Sequence, residues 1–222
     1  EIMNDIFRNT LKRVKPIRFR EPLAETLGAL KEEGALDYNF IDVVKMSGHA
    51  CPTVSAAYLC CQTALEKLYG DTIPVRGEIA VTVYGEPDEG VYGVMAQVFS
   101  FLTGAAAATG FKGLGHRFKR KDLLRFHLEK VDPEAMCFEF RRLDNGKAVL
   151  VRFYPQRIPF PEEKAKQLSH LLQPVLWEAA TEEETKQFQG LWMEKVEHML
   201  LKREGTERWL QLEERRGQNE RS

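Results

Sequence analysis

Met46-Ser47-Gly48-His49-Ala50-Cys51-Pro52-Thr53-Val54-Ser55 opens the stretch that organises this chain, and small and apolar residues continue it to Tyr69. Proline is favoured at the first position of a helix, where its missing N–H would be unpaired anyway. The stretch therefore predicts a helix over Pro52–Tyr69 with His49 and Cys51 at its amino end. That end of a helix carries roughly half a positive charge, which suits a thiolate, the form of cysteine that binds metal or attacks an electrophile. Val54, Ala57, Cys61, Leu65 and Leu68 recur at helical spacing and define a core face. Ala56, Ala57, Cys60, Cys61 and Ala64 are small enough for another backbone to approach. Cys60 and Cys61 cannot share a metal ion with Cys51. Nine residues of helix rise about 13 Å, against a Zn–S bond of about 2.3 Å. They read as small core residues, so any further ligand comes from elsewhere in the chain or from a second copy.

Downstream, Glu78–Tyr84 alternates: Ile79, Val81 and Val83 on one side, Ala80, Thr82 and Tyr84 on the other, as in a strand. Gly90–Phe111 then runs 22 residues without a charge, long enough to span a membrane. Its Gln97, Ser100, Thr103 and Thr109, and the four alanines from Ala105, instead favour a buried helix over Val91–Ala107. A glycine-rich loop, Thr109–His116, follows. Leu123–Val131, Met136–Leu143 and Lys147–Tyr154 read as strands, the last two joined by Asp144-Asn145-Gly146, which suits a tight hairpin. Helix, strand, helix and three strands make an α+β fold, a mixed β-sheet with helices packed on one face.

Upstream, Ile6, Leu11 and Val14 form a short amphipathic pattern that ends at Pro16, and Pro22–Glu33 reads as a helix. Pro159 and Pro161 mark a boundary. Beyond it lies a helix over Glu162–Glu178, kinked at Pro174. A second helix starts at the capping box Thr181–Glu184, with Phe188, Leu191, Trp192, Val196 and Met199 as its apolar stripe. The expected division is an N-terminal helical segment (1–35), an α+β domain (36–158) and a C-terminal helical extension (159–222). Charge dominates from Arg203 onward, and the last residues read as frayed. The stripe is large for a tail, and exposed apolar patches of that size usually meet a partner; a homodimer is expected, with folding back onto the sheet as the alternative.

The 32 basic and 33 acidic residues leave a net charge of −1, so the whole molecule is not a polyanion binder. Four cysteines in 222 residues give no dense disulfide framework and read as the reduced thiols of a cytoplasmic protein.

Phe40-Ile41-Asp42-Val43-Val44-Lys45 followed by Gly48-His49-Ala50-Cys51-Pro52 resembles the amino-terminal motif of the FmdE-like family, the small accessory components of formylmethanofuran dehydrogenase and their relatives. That motif has an aromatic-rich lead and then Gly-His-x-Cys-Pro-Gly at the mouth of a helix. The family continues with a Cys-x-x-Asp segment, Thr-Gly-Cys-Thr and a Gly-Lys-Gly loop. Thr103-Gly104 and Thr109-Gly110-Phe111-Lys112-Gly113 resemble parts of these, so the resemblance spans roughly 36–155. Val94, Gln97 and Ala105 stand where the family has Cys, Asp and Cys, and Thr53 replaces its second glycine. The resemblance implies metal ligation by His49 and Cys51 and an accessory role beside a molybdenum or tungsten enzyme. No molybdopterin-binding signature is present.

Mixed nitrogen and sulfur ligation suits zinc best. His116 is the expected third ligand: if the resemblance holds, its glycine-rich loop returns toward the His-x-Cys turn. Around it Lys112, Arg117 and Lys119 form a basic cluster expected to hold a small anionic ligand beside the metal, helped by glycine amides. A single aromatic, Phe118, lies among these charges, which gives no stacking platform for nucleic acid. His127, His170, His198 and Cys137 read as structural or solvated. The leading function is a zinc-binding accessory or sensor protein. The alternatives are a metal-dependent enzyme acting on a small anionic substrate and a haem protein using His49 or Cys51 as axial ligand.

Overall fold

A computed structural model describes residues 5–202 and 205–215. In chain order the elements are α1 (Asp5–Lys12), β1 (Ile17–Arg20), α2 (Pro22–Thr26), β2 (Ala35–Tyr38), α3 (Phe40–Ser47), α4 (Pro52–Tyr69), β3 (Ile79–Tyr84) and α5 (Tyr92–Thr103). There follow β4 (Gly113–Leu114), β5 (Phe118–Lys119), β6 (Leu124–His127), β7 (Met136–Arg142), β8 (Ala148–Phe153), α6 (Glu162–Leu176), α7 (Glu182–Leu201), α8 (Thr206–Trp209) and β9 (Leu210–Arg215). The fold is α+β, built on a mixed five-stranded sheet in the order β6-β3-β7-β8-β9. β3 pairs parallel with β6, and the other pairs are antiparallel.

Alternation along the strands sets the two faces of the sheet. Register places Val81 beside Phe140 and Val83 beside Phe138, and these four join Val149, Val151 and Phe153 in one buried core with α4 and α5. The opposite face holds a smaller cluster of Cys137, Leu150, Ala135 and Tyr154. Around it Glu139 pairs with Arg141 at 2.7 Å, and Arg152 with Glu213 at 2.6 Å. The uncharged stretch is indeed buried helix, ended at Gly104 rather than Ala107. No helix among the described residues is long and apolar enough to cross a membrane.

Three regions differ from the sequence reading. The segment before residue 36 is not simply helical, because β1 and β2 form a two-stranded antiparallel sheet. The helix from Pro22 stops at Thr26, two residues before Gly28 with its φ of +80°. Past Arg203 the chain forms α8 and β9, which adds a fifth strand beside β8; the frayed end expected over 216–222 lies outside the described residues. The main core draws Leu11, Val14 and Phe19 from the first segment and Val196, Met199 and Trp209 from the last. The α7 stripe folds back on its own chain: Val196 is buried in that core, while Leu191 packs with Leu168 and Leu171 of α6. The stripe therefore gives no support to a homodimer.

Candidate functional site

The His-x-Cys turn joins two helices. α3 ends at Gly48, whose φ of +78° reverses the chain and whose N–H donates to Val44 O at 2.8 Å. His49 is exposed, and its Nδ1 lies 3.0 Å from Ser47 O. A carbonyl only accepts, so Nδ1 carries the hydrogen and the neutral ring keeps its lone pair at Nε2. Metal-bound histidines are oriented in this way. Cys51 is half-buried and extended at the N-cap of α4, where its Sγ accepts the Val54 N–H at 3.4 Å. Between them, the Ala50 carbonyl accepts a 2.9 Å hydrogen bond from Trp192 Nε1 on α7. The turn is thus clamped through its backbone, while Nε2 of His49 makes no hydrogen bond among the described residues.

His116 does not complete this site. Among the described residues no three His, Cys, Asp or Glu side chains lie close enough to share a metal ion. His116 sits on the exposed three-residue turn between β4 and β5. The contacts root that hairpin at the far end of α4. Arg142, opposite Ile79 at the start of β3, donates to Leu68 O at 3.1 Å near the end of α4. Gly77, just before β3, donates to Thr103 O at 2.8 Å. Beside it, Arg120, four residues past His116, and Arg76 both bind Glu21. The 18 residues of α4 span about 27 Å. The loop therefore returns to the C-terminal end of the helix and carries Lys112, Arg117 and Lys119 away from His49 and Cys51. The expected coupling of metal and anion in one site is not formed.

The residues that hold the far end were not anticipated. Both oxygens of Glu21 are taken: Oε1 by Arg120 Nη2 and Oε2 by Arg76 Nη1 at 2.9 Å. Arg76 also donates to Leu102 O at 2.9 Å and Phe101 O at 2.8 Å, capping the end of α5. Glu21 and Arg120 side chains are only 6% exposed and Arg76 16%. With every Glu21 oxygen and most Arg76 donors occupied, this is a structural ion cluster. Lys112, Arg117 and Lys119, by contrast, are exposed and make no ion pair among the described residues.

The remaining cysteines are inert. Burial pushes the thiols of Cys60 and Cys61 up, and that of Cys137 up to about 11. Neither a cleft of about 460 Å³ lined by Arg8, Leu11, Lys12, Asn39, Ile41 and Lys45 nor one of about 170 Å³ beside Ile17 and Gln62 is lined by His49, Cys51 or His116. No protein-family model and no curated protein matches the chain.

Proposed function

We propose that the chain is a zinc-binding accessory protein whose His49–Cys51 turn supplies two ligands, the other two coming from the same turn of a second copy. The carrying observation is the His49 ring, tied through Nδ1 to Ser47 O with Nε2 left to bind, two residues from the Cys51 thiol. Zinc takes four tetrahedral ligands in a structural site, with Zn–N about 2.0–2.1 Å and Zn–S about 2.3 Å. Two copies related by a two-fold axis supply a His₂Cys₂ set, a closed site that assembles protein rather than activating water. The accessory role agrees with the resemblance to the FmdE-like family. A thiolate ligand requires reduced cysteine, as in cytoplasm. The enzyme reading has less support because the cations it needs stand at the other end of α4.

The test is light scattering and metal analysis on untagged protein. Zinc is expected to double the mass, at roughly one ion per two chains, with chelator reversing it. Cys51→Ser should abolish both effects. A chain that remains monomeric with zinc, or a Cys51→Ser variant with unchanged zinc content, overturns the reading.

A further inference from the structure

The β4–β5 hairpin has no role in that site, and its surface has an unusual make-up. Residues 110–121 carry five cations, Lys112, Arg117, Lys119, Arg120 and Lys121, and no acid, in a chain of net charge −1. Among the described residues only Arg120 of these is neutralised, by Glu21. Beside the exposed Lys112, Arg117 and Lys119 stand two large apolar side chains turned to solvent, Phe111 at 56% exposure and Leu114 at 52%. The arrangement is held in place. Gly113 has a φ of +93°, and a Cβ there would lie 1.9 Å from Phe118 O, so only glycine lets the strands meet. The Arg120 N–H donates to Lys112 O at 3.0 Å, and its guanidinium lies 5.5 Å from the centre of the Phe111 ring.

From this juxtaposition of unneutralised cations and outward apolar side chains on a pinned hairpin, we infer that the hairpin docks the protein on an anionic phospholipid surface. Phe111 and Leu114 enter the interface, and Lys112, Arg117 and Lys119 face the headgroups. Peripheral membrane binding needs this pairing, because buried apolar area and attraction to anionic lipid add. Each cation near such a surface contributes about a fivefold gain in binding. Leu114 offers nothing to a base, and one exposed phenyl ring is not a stacking platform, so lipid fits better than single-stranded nucleic acid. The root of the hairpin lies at the opposite end of α4 from the metal-binding turn, and the two proposals stand or fall separately.

The test is co-sedimentation of the full chain with vesicles. Binding is expected to phosphatidylcholine vesicles containing phosphatidylserine, at least tenfold tighter than to phosphatidylcholine alone, and weakening as salt rises. Arg117→Glu with Lys119→Glu should lower binding at least tenfold, and so should Phe111→Ser with Leu114→Ser, each variant keeping its circular dichroism. In Phe111→Trp, the single change, tryptophan emission should shift to the blue on vesicles beyond any shift in wild type. Equal binding to both vesicle types, indifference to either pair, or displacement by millimolar inorganic phosphate would overturn the proposal. So would tighter binding to a single-stranded oligonucleotide than to the anionic vesicles.

Discussion

The two ends of α4 both hold clusters of chemistry-bearing side chains, but they are built in opposite ways. At the amino end the backbone of residues 47–51 is fixed by Gly48, Ser47 and Trp192, while Nε2 of His49 is left without a hydrogen bond among the described residues. At the carboxyl end Glu21, Arg76 and Arg120 are buried on each other and on the carbonyls of Phe101 and Leu102. A charged group whose partners are all internal stabilises a fold; one held firmly but left open can receive something from outside. The largest test of this contrast is Glu21→Gln. It strands two buried guanidinium groups, and breaking a buried pair costs about 3–5 kcal/mol. Cys51→Ser in metal-free protein should change stability by less than about 0.5 kcal/mol, since serine also caps a helix. Urea unfolding measures both, and a Glu21→Gln loss below about 1 kcal/mol would break the comparison.

Two glycines sharpen it. Gly48 and Gly104 end α3 and α5 with nearly the same φ, +78° and +76°. A Cβ on Gly48 meets nothing within 4 Å, whereas one on Gly104 would lie 2.7 Å from Arg120 Nη1 and 3.2 Å from Arg76 Nη1. Gly48→Ala should cost only the backbone penalty, about 1 kcal/mol. Gly104→Ala adds displacement of the cluster, for a total of about 2–3 kcal/mol. Equal losses in thermal unfolding would show that the guanidinium groups yield freely.

Much of the sheet was legible because β3 alternates, β7 and β8 are short runs rich in β-branched and aromatic residues, and Asp144-Asn145-Gly146 marks the β7–β8 hairpin. Alternation is also present in Ile17-Arg18-Phe19-Arg20, but these four residues between Pro16 and Pro22 fall inside the segment 1–35 expected to be helical. β9 was hidden for a different reason. Leu210-Gln211-Leu212-Glu213-Glu214-Arg215 is mostly polar, and what makes it a strand is the free edge of β8, a tertiary fact. The site divides in the same way. His49 and Cys51 are neighbours in sequence, so their turn was readable. The position of His116 depended on which end of α4 its loop returned to. That was fixed by Glu21, 99 residues before Arg120.

The cysteines repeat the contrast at smaller scale. Cys51 alone is half-buried; the other three thiols are buried and their pKa values raised. At neutral pH one thiol of the four should react rapidly with a disulfide reagent, and Cys51→Ser should remove it. The raised values also set a sign for stability. Below about pH 9 these thiols are protonated folded and unfolded, and their pKa contributes no slope. Above it the unfolded chain loses protons that the fold retains, so stability falls as pH rises, by about 1.4 kcal/mol per unit for each such group. For Cys137 the loss runs from about 9 to about 11. Cys137→Ser should flatten the slope by one proton over that range.

A local effect is expected at Trp192, which links the C-terminal helices to the candidate site. Its Nε1 donates to Ala50 O, the one carbonyl between His49 and Cys51. Trp192→Phe keeps most of the apolar contact with Phe188, 5.5 Å away between ring centres, and removes only the donor. A neutral hydrogen bond of this kind contributes about 1 kcal/mol, and the stability loss should be of that size. The location of the loss is more informative than its size. With Ala50 released, the turn should open more often, and the Val54 amide, which is bonded to Cys51 Sγ, should exchange hydrogen faster. Amides around Gly77 and Gly104, bonded at the other end of α4 and α5, should keep their rates. Zinc affinity should fall with Val54 protection, because a turn that is ordered only part of the time holds its two ligands in place for that fraction of the time. Faster exchange at both ends would mean that the helix moves as one body and that its two termini are not independent sites.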